Sequence, residues 1–347
     1  MRLSRSGGSW YAALALALSL ALPAAARAAQ KTDVVLLKNG DRVTCEIQSL
    51  SNGLLTVDTD DMGTIKIEWD KVRTVTSSRL FELETTSGAR WYGSLAAAGP
   101  GQVAIVGATT TAFDQMLVYR VTPIESGFWH RLDGSVSMGG SYTKSSGVGQ
   151  VYGSFELRAR RPAYEWAISY DSTTTFQEGE PDSGRYTGRV GYTRLLQDRW
   201  LLIGYSQLDS NPDLGFNLRT AVGGVVGRNL IQRNRTVFQV GGGMTFNVEQ
   251  PVDGDHRTNA EALAIARYSI VTYDYPKSEA IIGLSVLPST SDPGRVRVGT
   301  NAKLSRAIFT NDFVFAITAF DDYDSRPPAG AVDKNDVGLS FSLGWKF

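Results

Sequence analysis

Residues 337–347 alternate strictly between apolar and small or polar side chains. Because successive side chains of a strand point to opposite faces, this period of two predicts a β-strand with one apolar face. A membrane barrel and a soluble sandwich both contain such strands, so the alternation alone leaves both open. The apolar positions are Val337, Leu339, Phe341, Leu343, Trp345 and Phe347.

The same alternation recurs from about residue 128 onward. An even number of alternating segments of roughly ten residues is typical of an outer-membrane β-barrel. We therefore predict an all-β fold with an antiparallel transmembrane barrel of about 12 strands. The predicted strands are residues 131–142, 148–160, 163–172, 185–196, 199–208, 214–229, 233–247, 257–271, 278–287, 294–307, 312–323 and 335–347.

The connections between these segments alternate in length. Those after even-numbered strands are short, as at residues 161–162 and 197–198, and those after odd-numbered strands are mostly longer and polar. Residues 173–184, 249–256 and 324–334 are examples of the long type. Outer-membrane barrels have short periplasmic turns and long extracellular loops, so the pattern predicts that both ends of the barrel lie on the periplasmic side.

The polar face of the predicted strands carries many charges. Placing Arg or Lys on the lipid face near the midplane would cost about 2–4 kcal/mol, which assigns these side chains to the lumen. Tyr164, Trp166, Trp200 and Trp345 lie near strand ends and fit interfacial girdles. Arg295 and Asp171 also occupy inward positions of the alternation. The predicted lumen-lining residues are Arg158, Arg160, Arg189, Arg219, Arg267, Arg297, Lys303, Glu156, Glu165 and Glu261.

The region before the barrel follows a different pattern of short strands and tight turns. Asn39-Gly40 and Asn52-Gly53 separate alternating segments, and Asn-Gly is a strong hairpin signal. Residues 80–124 resemble a second copy of residues 32–77, which predicts small SH3-like or Sm-like β units in tandem; one irregular β domain is the open alternative. The matching positions are Gly40, Arg42, Gly53, Leu55 and Val57 against Gly88, Arg90, Gly101, Val103 and Ile105.

The N-terminus has the pattern of a secretory signal peptide. Arg2 and Arg5 precede an uncharged run at residues 11–26, and Ala26-Arg27-Ala28 forms an A-x-A cleavage site. We therefore expect a signal peptide over residues 1–28, a periplasmic β domain over 29–126 and the barrel over 127–347. Cys45 is the single cysteine, which excludes a disulfide framework.

Composition narrows the functional classes. The formal net charge is zero, so nothing favours nucleic acid as a partner. The sequence lacks a phosphate-binding loop, a dinucleotide fingerprint, zinc-ligand spacing and a nucleophile elbow, so we expect no cofactor, no metal and no catalytic residues. After residue 28 no run of about 18 uncharged apolar residues exists, and an exported chain of this kind can enter a membrane only as a closed barrel.

Two segments carry a resemblance to a known family. Residues 37–43 (Leu-Lys-Asn-Gly-Asp-Arg-Val) and 63–69 (Gly-Thr-Ile-Lys-Ile-Glu-Trp), joined to a barrel that ends in Trp345-Lys346-Phe347, resemble the YdiY-like salt-induced outer-membrane proteins, a domain of unknown function (DUF481). The resemblance implies a Gram-negative outer-membrane location and transfers no catalytic residues. The terminal aromatic residue resembles the signal read by the barrel assembly machinery, so that machinery and outer-membrane lipid are the implied partners.

We expect a narrow channel or a protein of envelope maintenance, and three functional hypotheses remain open. The first is a narrow channel whose basic wall favours anions. Its alternative is a filled interior without conduction, in which inward Arg and Glu side chains neutralise each other. The second is a hydrolase, which needs a histidine as proton carrier; only His130 and His256 are available, and we expect no enzyme. The third is a structural or adhesive role, in which the N-terminal domain binds a periplasmic protein or plugs the barrel.

Overall fold

The computed structural model describes two β units in sequence. The nine strands that begin at Asp33 form one sheet, and the twelve strands that follow form a closed barrel. In the described part of the chain the helices are single 3-10 turns, and none is long and apolar enough to span a membrane. Ala26, Ala28, His130 and Phe347 lie outside the described residues. These are 31–124, 132–143, 148–177, 183–273, 276–310, 312–328, 331 and 333–346.

The N-terminal unit is an antiparallel sheet that folds back on itself. Its strand order is β4-β3-β2-β1-β5-β6-β7-β8, and β9 pairs with both β2 and β5. The strands are β1 (Asp33–Leu37), β2 (Arg42–Ser51), β3 (Leu54–Thr59), β4 (Gly63–Glu68), β5 (Val72–Thr85), β6 (Arg90–Ala97), β7 (Gln102–Val106), β8 (Thr110–Asp114) and β9 (Val118–Pro123).

The strand plan of this unit occurs twice, and β5 is shared between the two halves. In the first half, four strands and a 3-10 turn at Trp69–Lys71 lead into the start of β5, which pairs with β1. In the second half, the end of β5 is followed by three strands, a 3-10 turn at Gln115–Leu117 and β9, which pairs back with β5. This order is that of two small SH3-like units joined through one long strand.

Glycines with positive φ occupy equivalent turns of the two halves. Gly40 and Gly88 have φ of 98° and 87°, and Gly53 and Gly101 have φ of 67° and 72°. A side chain is strained in this left-handed region, so the turns keep glycine although most other matched positions differ. The offset seen in the sequence therefore corresponds to a repeated backbone geometry.

The two halves share one core. Trp69 Nε1 donates to the carbonyl of Gln115 at 2.8 Å, and Gln115 Nε2 donates to the carbonyls of Trp69 and, at 3.0 Å, Val72. These bonds join the two 3-10 turns, so the halves are tied at equivalent points. Buried apolar side chains of both halves form one cluster: Val35, Cys45, Ile47, Leu50, Leu55, Val57, Val75, Phe81, Leu83, Leu95, Val103, Ile105, Val118 and Val121.

The C-terminal unit confirms the prediction of a twelve-stranded antiparallel barrel. Each strand pairs with its neighbour in sequence, and the first and last strands close the ring. The strands are β10 (Leu132–Thr143), β11 (Val148–Arg160), β12 (Tyr164–Gln177), β13 (Ser183–Leu195), β14 (Trp200–Asn211), β15 (Phe216–Gln232), β16 (Thr236–Pro251), β17 (Arg257–Thr272), β18 (Ser278–Pro288), β19 (Val296–Ala307), β20 (Phe313–Asp324) and β21 (Asn335–Lys346).

The strands extend further into the predicted long loops than the sequence suggests. The loop expected at residues 173–184 is largely strand, because β12 continues to Gln177 and β13 begins at Ser183. Between β14 and β15 only a 3-10 turn and Gly215, with φ of 81°, remain. The difference in connection length between the two ends of the barrel is therefore smaller than predicted. The longest connection spans residues 325–334. We call the two ends the loop end and the turn end.

The outer surface of the barrel is apolar. On β21 the side chains of Val337, Leu339, Phe341, Leu343 and Trp345 are all exposed, and they lie on the outward face of the closing strand. Exposed apolar side chains occur on every barrel strand, including Trp166, Trp200 and Phe246. An apolar surface of this extent is far larger than water-soluble monomers expose.

The N-terminal unit packs against the turn end of the barrel. Arg90 Nη1 donates to the carbonyls of Pro162 at 3.5 Å and Leu195 at 3.3 Å, both in or beside short turns. Ion pairs join Lys66 to Asp312 at 3.3 Å and Asp70 to Arg235 at 3.5 Å. Partly exposed pairs such as these two contribute little to stability.

One close contact is made by Gly53, and it generates a test. A Cβ at Gly53 would lie 2.7 Å from Cζ of Tyr273, whereas a Cβ at the equivalent Gly101 meets nothing within 4 Å. Both alanine variants carry the same positive-φ strain of about 1–2 kcal/mol. Only Gly53→Ala also overpacks the junction, at about 1–3 kcal/mol.

We therefore expect proteolysis of residues 33–123 to be faster in Gly53→Ala than in Gly101→Ala, measured on the folded full-length protein. Equal rates in the two variants would show that the contact with Tyr273 does not hold the units together.

Candidate functional site

Charged side chains inside the barrel form three groups along its axis. The cross-lumen network lies at the loop end, the middle layer lies near the centre, and the junction cluster lies where the N-terminal unit meets the turn end. The network is Arg185, Arg219, Glu249, Glu261, Arg295, Arg297, Asp322 and Asp324; the middle layer is Asp133, Glu156, Arg158, Asp171, Arg189, Arg267 and Lys303; the junction cluster is Glu82, Glu84, Arg90, Arg120, Arg160 and Glu165.

Arg295 is the centre of the cross-lumen network. Its Nη2 lies 3.0 Å and 3.2 Å from the two carboxylate oxygens of Glu249, and its Nε lies 3.1 Å from Oδ1 of Asp324. Arg219 Nε donates to the same Glu249 at 2.9 Å. Glu249 is 0% exposed and Arg295 is 1% exposed, so these are buried, mutually neutralising charges. Removing one partner of such a pair typically costs about 3–5 kcal/mol.

Other contacts of the network cross the lumen directly. Arg185 on β13 pairs with Asp322 on β20, and these two strands are not neighbours in the barrel. The Arg185 guanidinium also lies 3.9 Å from the ring centroid of Phe320. Asn211 on β14 donates to Asp336 on β21 at 2.7 Å. Side chains therefore span the barrel interior at the loop end.

Glu261 anchors a second branch of the network. Arg297 Nε donates to its Oε1 at 2.8 Å, and Asn247 Nδ2 donates to its Oε2 at 2.7 Å. Asn259 then donates to Asn247 at 3.1 Å. Because Glu261 is 0% exposed, these donors replace the water that its carboxylate loses on burial.

The middle layer is less completely paired. Arg158 Nε donates to Glu156 at 2.8 Å, and Arg189 Nε donates to the neutral amide of Gln207 at 2.7 Å. Within the described chain, neither Arg267 nor Lys303 forms an ion pair. Gln207 in turn donates to Asp209 at 2.8 Å, so with Asp209 the layer holds four basic and four acidic side chains. Arg267 and Lys303 nevertheless lack the direct carboxylate contacts that a dry interior would require for buried charges.

Glu84 brings a carboxylate from the N-terminal unit to the turn end. Its Oε2 lies 3.3 Å from Arg160 Nη2, and its Oε1 accepts from Gln232 Nε2 at 3.0 Å. Arg160 also pairs with Glu165 at 3.3 Å. Arg160 therefore bridges an acid of the barrel and an acid of the N-terminal unit.

Glu82 lies beside this bridge in the N-terminal unit. Burial raises the pKa of Glu82, and the hydrogen bond from Tyr92 and the charge of Arg90 oppose that rise. The Arg90 Nε to Glu82 Oε1 distance is 3.8 Å, too long for a hydrogen bond. The same burial, together with Glu82, raises the pKa of Tyr92.

All ten predicted lumen-lining residues lie on the inward face of the barrel, distributed over the three groups. Arg160 and Glu165 are in the junction cluster, and Arg219, Glu261 and Arg297 are in the network. The others, Glu156, Arg158, Arg189, Arg267 and Lys303, are in the middle layer.

Sequence reasoning predicted Glu156, Glu165 and Glu261 but missed other acids that pair with these bases. Glu249 lies near the end of β16, two residues beyond the predicted strand end at residue 247 and within the predicted loop at residues 249–256. Asp324 ends β20, one residue past the predicted boundary. Longer strands with the same alternation would have placed both inside. No pattern in the sequence signals that Glu84 enters the barrel mouth.

His256, the histidine considered for catalysis, lies in the connection between β16 and β17 at the loop end. It is exposed, as are its neighbours Asp253 and Asp255. Within the described residues, no group of three or more His, Cys, Asp or Glu side chains is arranged to hold a metal ion.

A closed antiparallel barrel with an apolar exterior and a charged interior has the architecture of an outer-membrane β-barrel. The family described as "Protein of unknown function, DUF481" matches residues 141–347, and the chain belongs to this family. The DUF481 assignment inferred from the sequence is thereby confirmed, and the matched residues lie in the barrel. No curated protein matches the chain.

Solved structures with a similar barrel are distant in sequence. The NanC porin is 13% identical, with 62% of this chain and 98% of that chain covered and a TM-score of 0.39. A bacterial polysaccharide outer-membrane secretin is 6% identical, with 62% and 98% covered and a TM-score of 0.36. The β domain of the Bordetella autotransporter BrkA is 12% identical, with 62% and 97% covered and a TM-score of 0.28.

The buried bridge at the turn end predicts a stability difference between two glutamates. Glu84→Ala removes a buried partner of Arg160 and should lower the free energy of unfolding by about 2–3 kcal/mol. Glu46, which pairs with Arg79 at 3.1 Å and is 36% exposed, provides the matched control. Glu46→Ala should change the free energy of unfolding by less than about 1 kcal/mol. Urea unfolding followed by tryptophan fluorescence measures both, and a similar loss in the two variants would contradict the assignment.

The raised pKa of Glu82 predicts a pH dependence. Between the ordinary value of 4.5 and the raised value, the folded state binds more protons than the unfolded state, so stability falls as pH rises through that window. Glu82→Gln removes this loss. We expect the variant to gain stability relative to the parent between pH 4 and pH 8, measured by urea unfolding. If the free energies of unfolding of the two proteins differ by the same amount at every pH, the pKa of Glu82 is not raised.

Proposed function

We propose that this protein is an integral outer-membrane barrel that encloses a narrow pathway for small anionic solutes and is closed at rest. The observation that carries the proposal is that two cations of the middle layer, Arg267 and Lys303, form no ion pair with any described residue. A filled structural interior would pair them, because an isolated buried charge costs several kcal/mol. Basic side chains that line a pore favour anions.

The exterior supports the membrane location. Trp166, Trp200 and Trp345 are exposed near the turn end, and Phe176 and Tyr186 are exposed near the loop end. Aromatic side chains at both boundaries of an apolar band are the usual interfacial girdles of membrane barrels. With short turns on the periplasmic side, the N-terminal unit lies in the periplasm, and the outward face of β21 is the segment that the assembly machinery would read during insertion.

The two ends account for the closed state. At the loop end, Arg185 and Asp322 bridge opposite walls and Arg295 ties Glu249 to Asp324. At the turn end, the N-terminal unit contributes Glu84 to the mouth and acts as a plug. Passage then requires separation of the cross-lumen ion pairs and displacement or loosening of the plug.

Conductance of the purified full-length protein in a planar bilayer tests the pathway. We expect rare openings with anion preference from reversal potentials in a salt gradient. Asp322→Asn weakens the bridge to Arg185 and should open the barrel more often. Folded protein that passes no current, in the parent and in Asp322→Asn alike, would contradict the channel and leave a structural barrel.

Charge reversal in the middle layer tests its role in selectivity. Replacing Arg267 and Lys303 together by Glu changes the layer, counted with Asp209, from neutral to four excess negative charges. The reversal potential should then shift towards cation preference. Arg42→Glu, on an exposed residue of the N-terminal unit, is the control and should leave selectivity unchanged. An unshifted reversal potential in the double variant would remove the middle layer from the pathway.

A further inference from the structure

A cavity of about 850 Å³ lies between the N-terminal unit and the turn end of the barrel. One wall comes from the two 3-10 turns of the N-terminal unit, with Trp69 and Met116. The other comes from three consecutive short turns of the barrel, which contribute Arg199, Arg235 and Tyr273. The proposed pathway through the lumen does not use this space.

The charged part of the cavity favours an anion. Three arginines, Arg199, Arg233 and Arg235, line it, and Asp70 is the one carboxylate among its lining residues. Asp70 pairs with Arg235 at 3.5 Å, and the Arg235 guanidinium also lies 4.8 Å from the ring centroid of Tyr273. Two positive charges therefore remain in excess on the lining.

Two polar atoms on this lining are buried without a hydrogen-bond partner. They are Nε of Arg199 and Oδ1 of Asn234. The Arg199 guanidinium is held by a bond from Nη1 to the carbonyl of Leu230 at 3.1 Å, which leaves its Nε donor unused. Arg199 has φ of 66°, a strained backbone for a residue other than glycine. A buried donor without an acceptor is costly, and the Arg199 guanidinium therefore has hydrogen-bonding capacity that the described residues leave unused.

Part of the lining is apolar and faces the outer surface of the barrel. Leu230 and Ile231 lie near the end of β15 and are 47% and 38% exposed. Val222 and Val226 are exposed on the outward face of the same strand, and Arg228, whose guanidinium lies 5.4 Å from the ring centroid of Trp200, lies between Val226 and Leu230. The apolar surface that would contact acyl chains therefore lies next to basic side chains.

We propose that this cavity binds the headgroup of an anionic phospholipid from the adjacent leaflet. The phosphate accepts hydrogen bonds from Arg199 and Arg233, and an acyl chain lies along Leu230, Val226 and Val222. A free phosphate would use the arginines and leave the apolar row without a role. The inference rests on the proposed membrane location but not on conduction, so a barrel that passes no current leaves it intact.

Native mass spectrometry of the full-length protein in detergent tests the site. The protein is titrated with phosphatidylglycerol, with phosphatidylcholine of the same acyl chains, and with inorganic phosphate. We expect one saturable phosphatidylglycerol, bound at least about tenfold more tightly than phosphatidylcholine. Both headgroups carry a phosphate, but the quaternary ammonium of choline is repelled by the two excess positive charges of the lining. Equal binding of the two lipids, or only non-saturating lipid binding, would overturn the proposal.

Variants locate the lipid. Arg233→Gln and Arg199→Gln should each weaken phosphatidylglycerol binding about tenfold, which corresponds to one lost charged hydrogen bond. Arg199→Lys keeps the charge at the position where Arg199→Gln removes it, and should retain part of the binding. Arg257→Gln removes one exposed arginine at the loop end and is the matched control. Full binding in Arg233→Gln and Arg199→Gln would place the lipid elsewhere.

The apolar half of the site separates a lipid from a free anion. Leu230→Gln should weaken phosphatidylglycerol binding without changing the affinity for inorganic phosphate. If inorganic phosphate displaces the lipid at equal concentration, or Leu230→Gln has no effect on lipid binding, the cavity is a site for soluble anions and the lipid assignment is wrong. The far-UV circular dichroism of each variant confirms that the barrel is folded.

Discussion

The antiparallel pairing of β10 with β21 is the contact on which the rest of this structure depends. Val136 lies opposite Trp345 and Met138 opposite Leu343, and this register closes the ring. Closure leaves no unpaired sheet edge, which is the condition for placing strands in a hydrocarbon environment. It also creates an interior, because the side-chain period of two then sends every second residue into a confined lumen.

That confined interior explains the arrangement of charge. At the loop end the polar side chains are close enough to neutralise one another, as in the contacts of Arg295 with Glu249 and Asp324. Near the centre, Arg267 and Lys303 form no ion pair among the described residues. The same barrel thus combines a fully paired end with a less completely paired layer.

The duplicated N-terminal unit adds a second level of organisation. Its two halves keep the positive-φ glycines at matching turns, yet they use them differently. Gly53 packs against Tyr273 and Gly88 against Arg199, whereas Gly40 and Gly101 have open space around them. One turn from each half therefore contacts the barrel, and the junction formed in this way encloses both the buried Glu84 bridge and the arginine-lined cavity.

The sequence by itself determined the barrel, because its evidence is local. Alternation with a period of two, turn residues and strand lengths are properties of neighbouring residues, and they defined all twelve strands and the inward side of Arg158, Arg219 and Arg297. Only the tertiary structure decided which charges meet. Arg185 and Asp322 are 137 positions apart in the chain. Their pairing depends on how the ring closes and on the width of the lumen. Neither can be predicted from the pattern of a single sequence. The junction is of the same kind, since the contacts of Glu84 arise only when two separately patterned units pack together.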